Sequence, residues 1–143
     1  KQKKSINHIL EQQWGFTKKL DYVYLLSRKN NLYFMNRDLE QLDMTNLRIS
    51  SIGLYIGELL HEKELRLSIE GSQIIGSHAT KNVIEVDKEQ MRLWLKGHDL
   101  DVQQESNAFV IIKHDADFLG CGKLKDKKIL NFVPKTRRIL AKD

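Results

Sequence analysis

Short apolar segments, each followed by a polar turn, recur along the whole chain and most constrain its fold. Wholly apolar runs last only a few residues, as in Phe109 to Ile112. Segments of this length favour strands over long helices, and they are too short to cross a membrane. We therefore predict several short strands, at residues 20–26, 32–35, 65–69, 82–86, 109–113, 118–124 and 129–133.

Three short helices are indicated between these strands. The helical spacing of apolar residues predicts helices at 5–13 and 72–78. The third helix has the strongest signal, because Asp87 and Gln90 have the spacing of a capping box. Gly97 follows its last apolar residue, where a glycine typically ends a helix. The sequence thus predicts an α+β fold, closer to a small barrel than to a doubly wound sheet.

Length and cysteine content limit the class of protein further. The 143 residues, of which 41% are hydrophobic, suffice for one domain or for two small domains that share a core. The single cysteine, Cys121, cannot form an intramolecular disulfide. A reducing compartment is therefore expected, and we predict a cytoplasmic location.

The charge is unevenly distributed along the chain. The formal net charge of +5 is the sum of +4 over residues 1–50, −4 over 51–110 and +5 over 111–143. Basic ends of this kind are expected where one face meets a polyanion. A solvated surface without a partner explains the same distribution equally well.

Common catalytic and metal-binding motifs are absent from the sequence. It contains no dinucleotide-binding glycine motif, no phosphate loop, no nucleophile elbow and no pair of histidines at helical metal-ligand spacing. Residues 114–117 (His-Asp-Ala-Asp) are either a metal or acid–base cluster or a hairpin turn, and we favour the turn. Cys121 lies between two glycines, which favours a buried structural residue over a nucleophile. No catalytic residue, metal or cofactor is therefore expected.

Four segments in order resemble a known RNA-binding module, the PUA domain. Residues 119–123 (Leu-Gly-Cys-Gly-Lys) resemble its Leu-Gly-aromatic-Gly-Lys hairpin strand, with Cys121 in place of the usual aromatic residue. Residues 82–100 resemble its first strand, helix and glycine loop. Residues 131–138 resemble the basic end of the PUA domain in Sun-family RNA cytosine-5 methyltransferases. Residues 49–57 resemble the pre-PUA half of those enzymes and of the nucleolar PUA protein that processes pre-ribosomal RNA.

This resemblance implies an α/β pre-PUA domain over residues 1–80, packed on a PUA-type β pseudo-barrel with short helices over 81–143. It implies a non-catalytic protein that binds structured ribosomal or transfer RNA, in ribosome biogenesis or RNA modification. Methyltransferase activity is not implied, because the only proline, Pro134, precedes Lys135 and not the catalytic cysteine of that family. The alternative is an accessory domain that docks on an RNA methyltransferase or another pre-ribosomal or RNA-processing component. Its docking face would be acidic, with Glu58, Glu62, Glu64 and Glu70.

The resemblance also assigns an RNA-binding surface to the helix end, its glycine loop and the late basic segment. The residues so assigned are Lys96, Gly97, His98, Lys123, Lys125, Lys135, Arg137 and Arg138. For Gly97 we favour a role as a helix cap over contact with RNA, and His98 is also explained as a loop residue without a ligand. Trp94 is expected in the core and not as a base-stacking platform.

Overall fold

The computed structural model describes residues 2–36 and 53–138, and it contains two sheets with helices packed on them. The first half of the chain forms α1 (Gln2–Trp14), β1 (Tyr22–Leu26), β2 (Asn31–Asn36), β3 (Leu54–Leu60), β4 (Glu64–Leu67) and α2 (Ile69–Gly76). The second half forms β5 (Val83–Glu85), α3 (Lys88–Leu95), β6 (Leu100–Asp101), β7 (Phe109–His114), β8 (Asp117–Lys125), β9 (Lys128–Asn131) and a 3-10 turn (Lys135–Arg137).

The first sheet is antiparallel, with the strand order β1-β2-β3-β4. Tyr24 and Phe34 are direct cross-strand neighbours, and their rings stack with centroids 4.4 Å apart. Cross-strand aromatic pairs of this kind stabilise a sheet. Helix α1 contributes buried side chains to the same core, Leu10 and Trp14 among them.

The second sheet has the order β5-β7-β8-β9-β6. Strand β5 pairs in parallel with β7, and the other pairs are antiparallel. Trp94 of α3 is fully buried in the core beside this sheet, where it packs with Val110, Ile112 and Ile129. The prediction that Trp94 is a core residue is confirmed.

Strand β7 lies between two hydrophobic cores. Phe109 and Ile111 belong to the core that α1 and the first sheet share, whereas Val110 and Ile112 belong to the core around Trp94. Successive side chains of a strand point to opposite faces, so a strand that is covered on both faces needs an apolar residue at every position. The apolar run of the sequence therefore marks the strand that connects the two halves.

Helix α2 sits between the sheets and contacts both β3 and β8. It begins at Ile69, because the Ser68 hydroxyl oxygen accepts a hydrogen bond from the Gly71 backbone N–H at 2.9 Å and caps the helix. The predicted strand 65–69 therefore ends at Leu67, and the predicted helix 72–78 begins three residues earlier. Strands β3 and β6 were not predicted.

The other predicted elements are confirmed. The helix expected at 5–13 is α1, and the capped helix expected after Asp87 is α3. The turn expected at 114–117 connects β7 and β8. Residues 49–52 of the segment 49–57 that resembles a pre-PUA half lie outside the described residues. The pre-PUA assignment and the boundary at residue 80 stay predictions. In the described ranges, no helix is long and apolar enough to cross a membrane.

Candidate nucleic-acid interface

Helix α3 ends in a loop whose backbone is closely defined. The Asp87 and Gln90 side chains each accept a hydrogen bond from the other residue's backbone N–H, at 2.7 and 3.0 Å, which completes the predicted capping box. At the other end, the Gly97 N–H donates to the Trp94 carbonyl and the His98 N–H to the Leu93 carbonyl. These two bonds form a Schellman motif, and Gly97 has φ +95° as this motif requires. Gly97 is therefore a helix-ending residue.

The side chain of Arg138 lies directly over Gly97. A Cβ atom added at Gly97 would lie only 2.4 Å from Arg138 Nε. The same Nε donates a hydrogen bond to the Val133 carbonyl at 3.0 Å, which fixes the guanidinium at this position. The fold thus brings the glycine loop and the basic segment, about forty residues apart in sequence, into contact.

Asn131, the last residue of β9, connects the glycine loop after α3 to the basic segment. Its Nδ2 atom donates to the carbonyls of Trp94 and His98, both at 2.8 Å, and its backbone N–H donates to Asp99 Oδ1 at 2.8 Å. One amide group therefore satisfies two carbonyls near the end of α3 and ties the loop to β9. Sequence analysis placed Asn131 in the resembling segment but gave it no role.

A cleft of about 450 Å³ opens between the two sheets, and we call it the inter-sheet cleft. Lys135, Arg137 and Arg138 line it from the second half of the chain. Tyr55 and Arg66 line it from β3 and β4 of the first half. Three of the predicted site residues therefore meet side chains that the prediction had not included.

Ion pairs hold two of the arginines at the inter-sheet cleft. Arg66 Nη2 lies 2.6 Å from Glu58 Oε1, and Arg137 Nη1 lies 3.0 Å from Glu70 Oε2. The Arg66 guanidinium also lies over the Phe132 ring, 4.8 Å from its centroid. These contacts orient both side chains, although the partly exposed ion pairs add little stability by themselves.

Lys123 and Lys125 lie on β8, outside the lining of the inter-sheet cleft. Lys123 Nζ is 4.6 Å from the centroid of the Phe109 ring, and Phe109 is next to Phe132, with centroids 6.3 Å apart. Lys123 therefore reaches the cleft lining only indirectly, through the rings of Phe109 and Phe132. Lys125 is exposed opposite Lys128 at the end of the β8–β9 hairpin.

The remaining predicted residues sit beside the inter-sheet cleft rather than in it. Lys96 and His98 flank Gly97 at the end of α3, and neither lines the cleft. The predicted surface therefore consists of the α3 loop with Arg138 on it, the basic turn at Lys135 and Arg137, and the outlying strand β8.

Two other candidate sites have structural explanations. Cys121 is buried, and burial raises its pKa to about 12, so that it carries its proton at neutral pH and is a poor nucleophile. Glu85, His114 and Asp115 place possible ligand atoms within 4.8 Å of one another. However, Glu85 accepts the Asp115 backbone N–H and His114 Nδ1 bonds the Val86 carbonyl, so both side chains already support the hairpin.

Tyr55 and Arg66 were missed by sequence analysis. The alternation of Leu65, Arg66 and Leu67 did indicate that Arg66 is exposed, but it did not indicate a partner. Tyr55 gave no signal, because strand aromatic residues usually pack in the core. In the structure it is 39% exposed.

Comparison with known proteins identifies the second half of the chain. Residues 81–139 match the sequence-family model of the methyltransferase RsmF PUA domain. The ribosomal RNA small subunit methyltransferase F of Vibrio cholerae serotype O1 (strain M66-2) is 28% identical over 109 residues, which are 76% of this chain and 23% of that protein. The protein of the same name from Vibrio vulnificus (strain YJ016) is 25% identical over 108 residues, 76% of this chain and 22% of its own length.

A third relative of the same name, from Aeromonas salmonicida (strain A449), is 30% identical over 90 residues, 62% of this chain and 19% of its own length. The chain thus spans less than a quarter of the length of these relatives. In the Vibrio comparisons the aligned stretch is longer than residues 81–143, so it extends into the first half. Residues 81–139 therefore resemble the PUA domain of Sun-family ribosomal RNA methyltransferases of the RsmF type.

Proposed function

We propose that this chain is a non-catalytic RNA-binding unit that binds structured ribosomal or transfer RNA through the basic face of its PUA domain. The observation that carries the proposal is the contact of Arg138 with Gly97, with Lys135 and Arg137 beside it. This contact places on one surface the two segments that the PUA resemblance assigns to RNA, the glycine loop after α3 and the late basic segment. The relatives are named for action on ribosomal RNA, which supports a role in RNA modification or ribosome biogenesis.

The chemistry of this surface suits a folded RNA. Arginine can bind a phosphate with two parallel hydrogen bonds, whereas lysine acts as a mobile point charge. Double-stranded RNA is recognised mainly through its phosphates and 2′-hydroxyls, across a wide and shallow minor groove. Lys135 and Arg137 are exposed on an irregular turn, so their side chains can reach such a surface.

The experiment is fluorescence anisotropy with ribosomal and transfer RNA fragments against duplex DNA, over a series of salt concentrations. We expect RNA to be preferred and log Kd to change with log salt by about 0.7 to 0.9 per phosphate contact. The double variant Lys135→Glu/Arg137→Glu should bind RNA at least about 10-fold more weakly and with a slope smaller by the equivalent of about two contacts.

The matched control makes the same change of charge elsewhere. Lys18 and Lys19 follow α1 and are exposed. Lys18 contacts His78, which follows the C-terminal end of α2, whereas Glu70 lies at the N-terminal end of that helix. Lys18→Glu/Lys19→Glu should therefore retain most of the affinity. An equal loss in both double variants, or equally weak binding of RNA and DNA by the natural chain, would refute the proposed surface.

The alternative, an accessory domain that docks through an acidic face, has less support. Glu58 and Glu70 are paired with Arg66 and Arg137, so two of the four carboxylates proposed for this face are already neutralised. Copurification with an RNA methyltransferase that the Lys135→Glu/Arg137→Glu variant retains would favour docking over direct RNA binding.

A further inference from the structure

The inter-sheet cleft combines groups from both halves of the chain. Its volume, about 450 Å³, is within the range of sites for small ligands and is ample for one nucleotide. One wall comes from β3, β4 and the start of α2, and the other from the segment 131–138. No segment of the chain alone supplies this site.

The lining of the inter-sheet cleft is strongly cationic. One carboxylate faces four cationic side chains, a net charge of +3: Glu70 against Arg66, Lys135, Arg137 and Arg138. Counting Glu58, which pairs with Arg66 from outside the lining, leaves +2. The site therefore favours an anionic ligand, and the arginines favour phosphate oxygens.

An exposed aromatic ring borders these cations. Tyr55 lines the cleft and is 39% exposed, and its ring is supported by Tyr33 at a centroid distance of 5.6 Å. Phe132, also in the lining, is covered by the Arg66 guanidinium. A partly exposed aromatic residue next to cations suits the stacking of a nucleic-acid base while its phosphates are bound.

We propose that the inter-sheet cleft holds a single unpaired nucleotide of the bound RNA, with its base on Tyr55 and its phosphates among Lys135, Arg137 and Arg138. This inference rests on the proposed function, since the same basic segment would bind the adjoining backbone. The base must be unpaired, because within an A-form duplex the base faces are stacked and cannot reach a side chain. The first half of the chain then selects loops, bulges or single-stranded ends next to the structured region.

The experiment uses the full chain and oligoribonucleotides that carry 2-aminopurine, either in an unpaired bulge or within a continuous duplex. We expect the bulged RNA to bind more tightly and its 2-aminopurine fluorescence to be quenched on binding. Tyr55→Ala should weaken binding of the bulged RNA about 10-fold, which is about 1.4 kcal/mol and within the range for base–aromatic stacking. It should also abolish the quenching. Binding of the continuous duplex should be unchanged.

Two variants separate stacking from other effects. Tyr55→Phe keeps the ring and should retain both affinity and quenching. Leu54→Ala removes a neighbouring side chain that is 44% exposed and does not line the cleft, and it should also leave both readouts unchanged.

The possible failures are distinguishable. If the natural chain binds neither RNA, the proposed function is refuted and this inference with it. If it binds both RNAs and Tyr55→Ala binds the bulge as tightly as before, only the nucleotide site is refuted. An equal loss with Leu54→Ala and Tyr55→Ala would also refute it, because the loss of RNA binding would then not depend on the Tyr55 ring.

Discussion

Replacing Gly97 by alanine tests whether the end of α3 positions Arg138. Gly97 has φ +95°, a backbone conformation that L-residues rarely adopt. The added Cβ would lie 2.4 Å from Arg138 Nε and 2.5 Å from its Cδ, so the arginine side chain must move away. That movement breaks the hydrogen bond of 3.0 Å between Arg138 Nε and the Val133 carbonyl.

The expected cost has two parts. A left-handed backbone costs an alanine about 1–2 kcal/mol relative to glycine. The lost hydrogen bond has a charged donor, but Arg138 is partly exposed, so water can replace part of the interaction. We therefore expect its loss to cost about 1 kcal/mol of stability. The sum, about 2–3 kcal/mol, corresponds to a fall in the melting temperature of about 5–10 °C for a chain of this size.

Urea unfolding of a double-mutant cycle separates the two parts. Gly97→Ala should cost about 2–3 kcal/mol in the natural chain and only about 1–2 kcal/mol when Arg138 has already been replaced by alanine. RNA affinity should fall with Gly97→Ala in the natural chain and change little in the Arg138→Ala background. Equal costs in both backgrounds would refute the coupling, and a cost below about 0.5 kcal/mol would refute the backbone argument as well.

Three further predictions concern the core and the Asn131 contact. Because burial raises the pKa of Cys121 from 9.0 to about 12, the folded chain keeps a proton that the unfolded chain releases, so stability falls by about 1 kcal/mol from pH 8 to pH 10. Urea titrations should not show this contribution in Cys121→Ala. Gly122→Ala should cost about 1–3 kcal/mol in thermal unfolding, because its Cβ would lie 2.6 Å from the Leu130 carbonyl oxygen. Asn131→Ala should cost about 2 kcal/mol in urea unfolding and weaken RNA binding, whereas a stability unchanged within 0.5 kcal/mol would contradict its role.

Local signals predicted much of the fold correctly. The capping box at Asp87 and Gln90 predicted where α3 begins, because both partners lie within one helical turn. The run from Phe109 to Ile112 predicted β7 for a similar reason, since both of its faces are buried. In each case the interaction that stabilises the element is visible in a few adjacent residues.

Elements that depend on distant contacts were missed or misplaced. Strand β6 has two residues, and only its pairing with Ile129 and Lys128 of β9 makes it a strand. The alternation of Leu65, Leu67 and Ile69 continues past the end of β4, but the Ser68 side chain caps α2 there and the chain leaves the sheet. This cap is a local contact between Ser68 and Gly71, but apolar periodicity does not indicate it.

The distribution of charge over the surface was predicted from the sequence only in part. The totals by segment correctly indicated a basic surface near the end of the chain, but they suggested that the acidic middle forms a separate face. The fold instead mixes the two: Glu58 and Glu70 lie next to arginines, and Arg66 of the acidic segment joins the basic lining of the inter-sheet cleft. Each carboxylate offsets part of the charge of its arginine and also holds the guanidinium in place. An anion that enters the cleft therefore meets oriented donors, which the sum of charges along a segment cannot indicate.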